Sequence, residues 1–389
     1  MTFNYILDER KSWPPMVRPK PPYGPTTIEV MRSCMLRSFF EISPNYERRM
    51  GSAARIGTIL HRTIQSLNQQ PVLAETTEQL AAETRRRFQA ELHEQQNQAA
   101  SRPREKSLVW DYERTNHALE AVIAEAIRTQ PLGLRIATAN HRQSTTQKDT
   151  SNHSTSQASG SKSLVEVEVE VQSKNNLFHG RIDRAEITKN GTRLVDYKSA
   201  FRDDLPERYS RQLQLYAYLW HETRDEWPSE AYVFYPMLGS FHNVPVDESI
   251  CQMVVTESIA LVEGIEKRRK PTDLASPGDV CKVCEFRPWC CPFWSWQNSE
   301  NNQLRALDKA IIGFEGEVKT IKLENHYWIL TINWRNALVK IISPQERFPH
   351  LVNVHPGQPI RVLDTALKGQ LFQPIATIIN QSEIYIMIS

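Results

Sequence analysis

Two acidic residues and a lysine in neighbouring segments have the types and spacing that metal-dependent hydrolysis requires. The segment LVDYKSA, residues 194–200, contains Asp196 and Lys198, and the segment FHGRIDRAEIT contains Asp183. Carboxylate oxygens are natural ligands of Mg²⁺ or Mn²⁺, and a bound metal can activate water against a phosphodiester. A lysine can orient that water and offset the developing charge. The same residues also suit an exposed, salt-bridged hairpin, so this pattern alone leaves both interpretations open.

The dipeptide Asn190-Gly191 between the two segments predicts a β-hairpin, because both residues tolerate positive φ in a tight turn. A two-residue loop at this position places Asp183 opposite Lys198. Cross-strand partners share a face of the sheet, as do residues two apart on one strand. We therefore expect Asp183, Asp196 and Lys198 to project from the same face. A bulge or a longer loop would change this register.

Helices on both sides of the hairpin carry further candidate residues. Upstream, Gly57 and His61 are four residues apart, and the imidazole could provide another metal ligand. Downstream, Gln212 and Tyr216 have the same spacing and should lie on one face of a helix. Each of these residues also suits a purely structural role, so it is their order around the hairpin that favours a site.

The motifs GTILH, HGRIDRAEI, LVDYKSA and RQLQLYAY, in this order, resemble the RecB-type branch of the PD-(D/E)xK nucleases. The resemblance covers about residues 26–296. It implies a metal site made by the side chains of His61, Asp183 and Asp196. It also implies that the backbone carbonyl of Tyr197 is a metal ligand.

The same resemblance assigns roles to residues outside the metal site. It implies that Lys198 is catalytic and that Gln212 and Tyr216 shape the site and contact DNA. Some members of this branch use another acidic residue on the preceding strand. Glu168 and Glu170 both remain candidates for that position, because only the strand register can decide between them.

Six cysteines are distributed unevenly along the chain, which favours metal or cluster ligation over disulfides. Cys281, Cys284 and Cys290 form a tight triplet, and Cys34 lies far upstream. Four thiolates suit either an iron–sulfur cluster or tetrahedral zinc. Cys291 could replace its neighbour Cys290 as a ligand.

One cysteine before the nuclease-like motifs and three after them resemble the iron–sulfur staple of AddB-type and CRISPR-associated adaptation nucleases. The resemblance implies a [4Fe–4S] cluster, with zinc as the alternative, that ties the chain ends together beside the DNA path. The pattern departs from that family at Met35, because a proline often follows the first cysteine. Cys251 stands outside the pattern and is predicted to be a buried helix residue.

Hydrophobic periodicity predicts an α/β fold, and the resemblance implies that its core is restriction-endonuclease-like. Helical patterning predicts helices over 26–40 and 56–67, and two polar helices are expected over 77–97 and 111–129. Alternation of Val and Glu in LVEVEVEVQ predicts a half-buried strand. After the hairpin we expect a helix over 210–223, a strand at AYVFYPM and a helix over 248–268. The resemblance implies that these elements form a mixed sheet flanked by helices.

Composition predicts three parts of the chain. Residues 1–25 are an irregular, proline-rich lead-in, and 26–299 are the nuclease-like domain. Within it, residues 138–163 are nearly free of apolar side chains and should form a flexible loop. Residues 300–389 alternate like several short strands, which predicts a small all-β, OB-like domain. Three aromatic residues there could either stack on single-stranded DNA or belong to the core: Tyr327, Trp328 and Trp334.

Bulk properties exclude few partners. The net charge of +2 lacks the basic excess of proteins that simply coat nucleic acid. No apolar run approaches the roughly 20 residues that span a bilayer, and the N-terminus lacks a signal-peptide pattern, so a cytoplasmic protein without a membrane partner is expected. No Gly-x4-Gly-Lys-Ser/Thr stretch is present, so a helicase would have to be a separate partner. Arginines near the motifs could engage phosphates or be solvated: Arg181, Arg184, Arg202, Arg208 and Arg211.

These observations favour a Mg²⁺- or Mn²⁺-dependent deoxyribonuclease. We expect an exonuclease that acts on single-stranded DNA or DNA ends in repair, recombination or CRISPR-type DNA processing. The alternative is a catalytically inactive DNA-binding subunit of a repair assembly, although such a subunit does not need an intact acidic pair and lysine. A third hypothesis is a zinc-stapled RNA-processing factor.

Overall fold

The computed structural model describes most of the chain, namely residues 5–8, 13–15, 17–105, 108–130, 164–268, 270–299, 311–335, 337–370 and 373–388. The flexible loop predicted over 138–163 lies outside these ranges. None of the helices within them has the length and apolarity that a membrane crossing requires.

The helices predicted in the first part of the chain are present, with one correction. The first elements are β1 (Ile6–Asp8), α1 (Pro25–Ser33), α2 (Met35–Ile42), α3 (Ser52–Gln69), α4 (Thr77–Ser101) and α5 (Tyr112–Thr129). The single helix predicted over 26–40 is wrong, because α1 and α2 meet at Cys34. The backbone of Cys34 is extended (φ −163°, ψ 109°), and its N–H donates to Val30 O at 2.9 Å where α1 ends. Its carbonyl accepts from Arg37 N at 3.0 Å in the first turn of α2.

The central sheet is mixed, as predicted. The elements after residue 163 are β2 (Leu164–Gln172), β3 (His179–Thr188), β4 (Gly191–Tyr197), α6 (Glu207–Arg224), β5 (Glu230–Tyr235), β6 (Ser240–Asn243), α7 (Glu248–Lys267) and α8 (Cys291–Gln297). The strand order is β2-β3-β4-β5-β6, in which β4 and β5 are parallel and the other neighbours antiparallel. Helix α6 connects the two parallel strands, which confirms the predicted α/β class.

The β3–β4 hairpin is two residues out of the predicted register. Thr188 pairs with Gly191, so the loop is Lys189-Asn190 rather than Asn190-Gly191. Gly191 has φ +115°, and its carbonyl accepts a hydrogen bond from Thr188 Oγ1 at 2.9 Å, which closes the turn one residue earlier. Because the shift is an even number of residues, every side chain stays on the face that was predicted.

Helices cover both faces of the central sheet. On one face, Leu194 and Val233 pack in a core with side chains of α1, α2, α6 and α7. On the other face, Val195 and Phe234 pack with side chains of α3, α4 and α5. The end of β4 therefore lies between two helical layers. Polar side chains at this end of the strand lie next to helices of both layers.

The last part of the chain is all-β, as predicted. Its strands are β7 (Ile311–Glu324), β8 (Tyr327–Trp334), β9 (Ala337–Pro344), β10 (Pro359–Gln370) and β11 (Gln373–Ile388). They form a sheet of order β1-β11-β10-β7-β8-β9, and an additional β9–β11 pairing makes it barrel-like. The domain boundary at residue 300 stays a prediction.

This sheet bears on two predictions, one for the N-terminal lead-in and one for the aromatic residues of the β-rich region. The lead-in over 1–25 is not wholly irregular, because β1 pairs in parallel with the end of β11. Trp328 and Trp334 are each 7% exposed and belong to the core of the β-rich region. Tyr327, at the start of β8, is 47% exposed. The core interpretation is therefore confirmed for the two tryptophans.

Candidate active site

The side chains predicted around the hairpin line one cleft of about 830 Å³. The end of β4, the residues that follow it, α3 and α6 all contribute to its wall. The predicted residues that line the cleft are His61, Asp183, Asp196, Tyr197, Lys198, Gln212 and Tyr216. The predicted cysteine ligands lie around a second, smaller cavity.

The two aspartates of the cleft lie side by side on neighbouring strands. Arg184 pairs with Val195, so the next pair in the same register is Asp183 and Asp196, rather than Asp183 and Lys198 as predicted. Asp183 Oδ2 accepts a hydrogen bond from Tyr197 N at 2.8 Å. Asp196 is 6% exposed, and burial raises the pKa of its carboxyl, with Lys198 opposing and Asp183 adding to the shift.

Lys198 lies between the acidic pair and helix α6. Its Nζ is 2.7 Å from Asp196 Oδ2 and donates to Gln212 Oε1 at 3.0 Å. Burial acts to lower the pKa of this ammonium, but the charge of Asp196 and the contact with it outweigh burial, so the pKa is raised. The lysine is therefore held in its charged form, as a cation and hydrogen-bond donor rather than a base.

The α6 pair follows the predicted spacing and reaches the cleft. Gln212 Nε2 donates to Thr26 Oγ1 of α1 at 3.1 Å, which fixes the amide that contacts Lys198. Burial, followed by the charges of Asp196 and Asp183, raises the pKa of Tyr216, so its phenol stays protonated at neutral pH. A Cβ at Gly180 would lie 2.6 Å from the Tyr216 ring, so this glycine allows the ring to approach β3.

Helix α3 brings His61 to the acidic pair. The Nδ1 atom of His61 is 3.9 Å from Asp183 Oδ2. One turn earlier, a Cβ at Gly57 would lie 2.3 Å from Ser199 Oγ, directly after the Asp-Tyr-Lys segment. The Gly-x3-His spacing thus has two functions: the glycine allows α3 to pack closely, and the histidine then points into the cleft.

The strand register separates the two candidate glutamates on β2. Val167 pairs with Arg184 and Val169 with Ile182, so Glu168 faces Asp183. Burial raises the pKa of Glu168. The charge of Asp183 adds to this rise, whereas the charges of Arg181 and His61 oppose it. Glu168 is at φ 52°, and its carboxylate is 2.6 Å from Arg181 Nε.

Glu170 lies farther along β2, opposite Arg181. Its carboxylate contacts His179 Nε2 at 2.7 Å and is largely exposed. Glu168 is therefore the acidic residue that the fold places beside the aspartates.

The side chain of Tyr197 points away from the aspartates and anchors β4 to the helical layer. Its hydroxyl donates to Glu125 Oε1 of α5 at 2.7 Å. Arg128, one turn further along α5, donates to the same carboxylate through two nitrogens. The side chain of Tyr197 is thus held by α5, and the role of its backbone carbonyl as a metal ligand stays a prediction. Glu125 and Arg128 were missed because nothing in the sequence relates α5 to β4.

The arginines near the motifs separate into two groups. Arg181 and Arg208 line the cleft, together with Arg114 of α5, which the sequence analysis did not select. Carboxylates engage the others: Arg184 with Glu186, Arg202 with Asp204, and Arg211 with Glu29 and Glu207. Arg181 is also paired, with Glu168, so it differs from these arginines in its position at the cleft and not in its lack of a partner. Of the five predicted arginines, Arg181 and Arg208 are therefore the ones placed to contact phosphates in the cleft.

The cleft presents oxygen and nitrogen donors that a divalent cation could use. Among the described residues, no group of three or more His, Cys, Asp and Glu side chains stands in a metal-binding arrangement. The donor types nevertheless suit a hard cation, because Asp183 and Asp196 present carboxylate oxygens. Asp196 Oδ2 is buried and lies 2.7 Å from the Lys198 ammonium, so a bound cation would share this carboxylate with the lysine. The residues present therefore fit a divalent cation by the chemistry of their donor atoms.

The predicted cysteine ligands gather around one small cavity of about 30 Å³. Its lining includes Cys34 at the α1–α2 junction, together with Cys281, Cys284 and Cys290. Burial raises the pKa of the last three thiols, to about 12 for Cys284. Such thiols stay protonated unless a cation compensates the charge of the thiolate.

The two remaining cysteines lie apart from that cavity. Cys291 is the first residue of α8 and lies near Tyr46. Cys251 is fully buried in α7, as predicted. Cys290 is accordingly the better placed of the two adjacent cysteines.

Comparison with known protein families assigns the chain to a superfamily. The profile described as the PD-(D/E)XK nuclease superfamily matches residues 23–291, well over half of the chain. The chain therefore belongs to the PD-(D/E)XK nuclease superfamily, whose members are in general metal-dependent nucleases. A search among curated proteins returned no match.

Similarity to solved structures is low. For the Ifi202 HINa domain in complex with 20-bp double-stranded DNA, identity is 19%, the TM-score 0.20, and coverage 23% of this chain and 45% of that chain. For the replication factor A related protein from Methanobacterium thermoautotrophicum the values are 16%, 0.18, 20% and 81%, and for SSO0001 they are 15%, 0.25, 60% and 94%. The chain spans less than half the length of the first HIN-domain structures that it matches. These TM-scores support no inference about function.

Proposed function

We propose that the chain is a RecB-type deoxyribonuclease that depends on Mg²⁺ or Mn²⁺. It would act as an exonuclease on single-stranded DNA or DNA ends, in repair, recombination or CRISPR-type DNA processing. The observation that carries the proposal is the convergence of Asp183, Asp196 and a charged Lys198 in one cleft, with Gln212 holding the lysine. Membership of the nuclease superfamily supports phosphodiester hydrolysis.

The predicted site residues and three arginines would have separate parts in this reaction. Asp183, Asp196, His61 and the carbonyl of Tyr197 would hold the cation, which supplies charge neutralisation and activation of water when bound. Lys198 donates a hydrogen bond to the attacking water or to a phosphate oxygen, and its positive charge opposes the negative charge that develops there. Arg114, Arg181 and Arg208 bind phosphates along the strand and hold it in register.

We further propose that Cys34, Cys281, Cys284 and Cys290 hold a [4Fe–4S] cluster. The shared cavity supports this proposal. The position of Cys34 supports it too, because this residue ends α1 and precedes the first residue of α2. The measurement is the iron, sulfide and zinc content of protein purified without oxygen. We expect iron and sulfide in equal amounts, lost in Cys284→Ser. Zinc without iron would show instead that the four cysteines hold a tetrahedral zinc ion.

The nuclease proposal is tested by cleavage of end-labelled single- and double-stranded DNA with Mg²⁺ or Mn²⁺. The wild type is compared with Lys198→Ala, after circular dichroism has shown that both are folded. We expect cleavage by the wild type only, with a ladder of products from one end of the single strand. DNA binding without cleavage by either protein would replace the proposal with that of an inactive DNA-binding subunit. Equal cleavage by both would refute the role of Lys198.

A further inference from the structure

An exposed aromatic pair has no part in the chemistry above. Phe201 is the third residue after Lys198, and it is 53% exposed. Its ring stacks on the imidazole of His117 in α5, with centroids 5.6 Å apart and planes at 24°. Phe201 is therefore about half exposed although its ring contacts the imidazole, so another flat ring can reach it. Exposed apolar side chains are common singly, so their position decides whether they matter.

The pair lies at the edge of the candidate active site. His117 follows Arg114 by three residues on α5, so the two side chains share one side of the helix, and Arg114 lines the cleft. On the other side, Lys198, Ser199 and Ala200 line the cleft directly before Phe201. Three residues of chain span at most about 11 Å, which keeps Phe201 close to the Lys198 backbone.

Charge around the pair favours a nucleic acid strand as the occupant. Arg114, Arg181 and Arg208 line the cleft and can track phosphates. An aromatic platform beside a basic groove is the combination by which proteins bind single strands, because every base offers a flat face. Inside a duplex that face is covered by neighbouring base pairs. A single strand therefore satisfies both the arginines and the exposed ring.

We propose that Phe201, supported by His117, stacks on a base of single-stranded DNA next to the scissile phosphate. This inference rests on the proposed function. It adds that Phe201 is the residue that favours single-stranded over double-stranded DNA. The platform holds the unpaired base while the arginines hold the backbone, so the phosphate between them is presented to the acidic pair. A duplex without an open end gains only the backbone contacts.

The test is the binding of a fluorescein-labelled oligothymidine strand and of a duplex of equal length, followed by anisotropy. All proteins carry Lys198→Ala to prevent cleavage, and melting curves confirm that they are folded. We expect Phe201→Ala to weaken single-strand binding about 5- to 140-fold and duplex binding little. Phe201→Trp should retain or improve binding. Tyr327→Ala is the comparison, because Tyr327 has similar exposure and is the other exposed stacking candidate, in the β-rich region; on this proposal it should change neither.

A second measurement locates the stacked base. An abasic nucleotide is moved along the strand, and one position should weaken binding by the protein with Phe201 but not by Phe201→Ala. An unchanged affinity of Phe201→Ala for the single strand, or an effect of Tyr327→Ala in its place, would overturn the inference and leave the proposed function intact. Absence of DNA binding by the parent protein would overturn both.

Discussion

Gln212 Oε1 accepts a hydrogen bond from Lys198 Nζ at 3.0 Å, and the same amide donates to Thr26 Oγ1 at 3.1 Å. Helix α6 therefore determines where the ammonium lies, while Asp196, 2.7 Å from Nζ, keeps it protonated. In the proposed reaction Gln212 would act through the lysine, as a positioning residue.

Replacement of Gln212 by alanine should separate catalysis from binding. Without the amide, the ammonium loses one of its two contacts, and a displacement of about 1 Å can cost on the order of 100-fold in rate. We expect Gln212→Ala to lower kcat about 10- to 100-fold with a small change in KM. Gln214→Ala is the control, because Gln214 lies on the same helix but donates to Pro245 O at 3.0 Å. Equal kcat values for the two variants would contradict the role of Gln212.

A methyl group at Gly57 should disturb the site through the position of α3. The new Cβ would lie 2.3 Å from Ser199 Oγ, so α3 or the segment after Lys198 must move. We expect Gly57→Ala to destabilise the fold by about 1–3 kcal/mol and to reduce cleavage. Gly264→Ala in α7 is the matched control, because its Cβ meets Met35 Cε at 3.6 Å. That change should stabilise the fold by about 0.5–1 kcal/mol, as measured by chemical denaturation.

The contribution of sequence analysis differs between the parts of this site. Asp183, Asp196 and Lys198 could be placed on one face because strand alternation survives a register error of two residues. Helical spacing could place Gln212 and Tyr216 on one face, and the order of the motifs around the hairpin favoured their place in a site. Arg114, Thr26 and Glu125 could not be found, because they come from helices whose packing against β4 depends on tertiary contacts. The break at Cys34 was missed for a similar reason, since one extended residue inside an apolar run leaves the periodicity almost unchanged.

The β-rich region supports the cysteine segment through a buried ion pair. Arg287 donates from two nitrogens to the carboxylate of Asp364 at 2.8 Å, and its Nε donates to Cys284 O at 2.8 Å. Asp364 is at φ 57°, at the point in β10 where the pairing register shifts. A bulge of this kind redirects a side chain, here towards the arginine.

Removal of Asp364 should therefore destabilise the protein and loosen the cysteine segment. Asp364→Ala leaves a buried guanidinium without a counter-charge, which costs about 3–5 kcal/mol. The double variant Arg287→Met/Asp364→Leu should recover most of this loss, because it removes both charges. The measurements are denaturation midpoints and the rate at which a thiol reagent modifies the cysteines. If Asp364→Ala is as stable as the wild type and its cysteines react as slowly, the ion pair does not support the cysteine segment.

His350 should make stability depend on pH. Its Nε2 lies 2.9 Å from Ile384 O, and its ring stacks on Tyr5 with centroids 4.3 Å apart. Burial lowers the pKa of this imidazole from 6.5 to about 4. The unfolded chain thus binds the proton more readily between these values, and stability rises with pH across that window. The contribution is complete above about pH 6.5 and is lost as the pH falls towards 4, with a size of roughly 3 kcal/mol.

The variant His350→Gln isolates this contribution from those of other groups. A glutamine amide can still donate to the carbonyl of Ile384, but it does not titrate. We therefore expect the free energy of unfolding to fall less steeply from pH 6.5 to 4.5 in the variant than in the wild type, as measured by urea denaturation at several pH values. Carboxylates that titrate in this range affect both proteins equally, so they cancel in the difference. Parallel curves for the two proteins would show that the imidazole is already charged in the fold, with its pKa near the ordinary value.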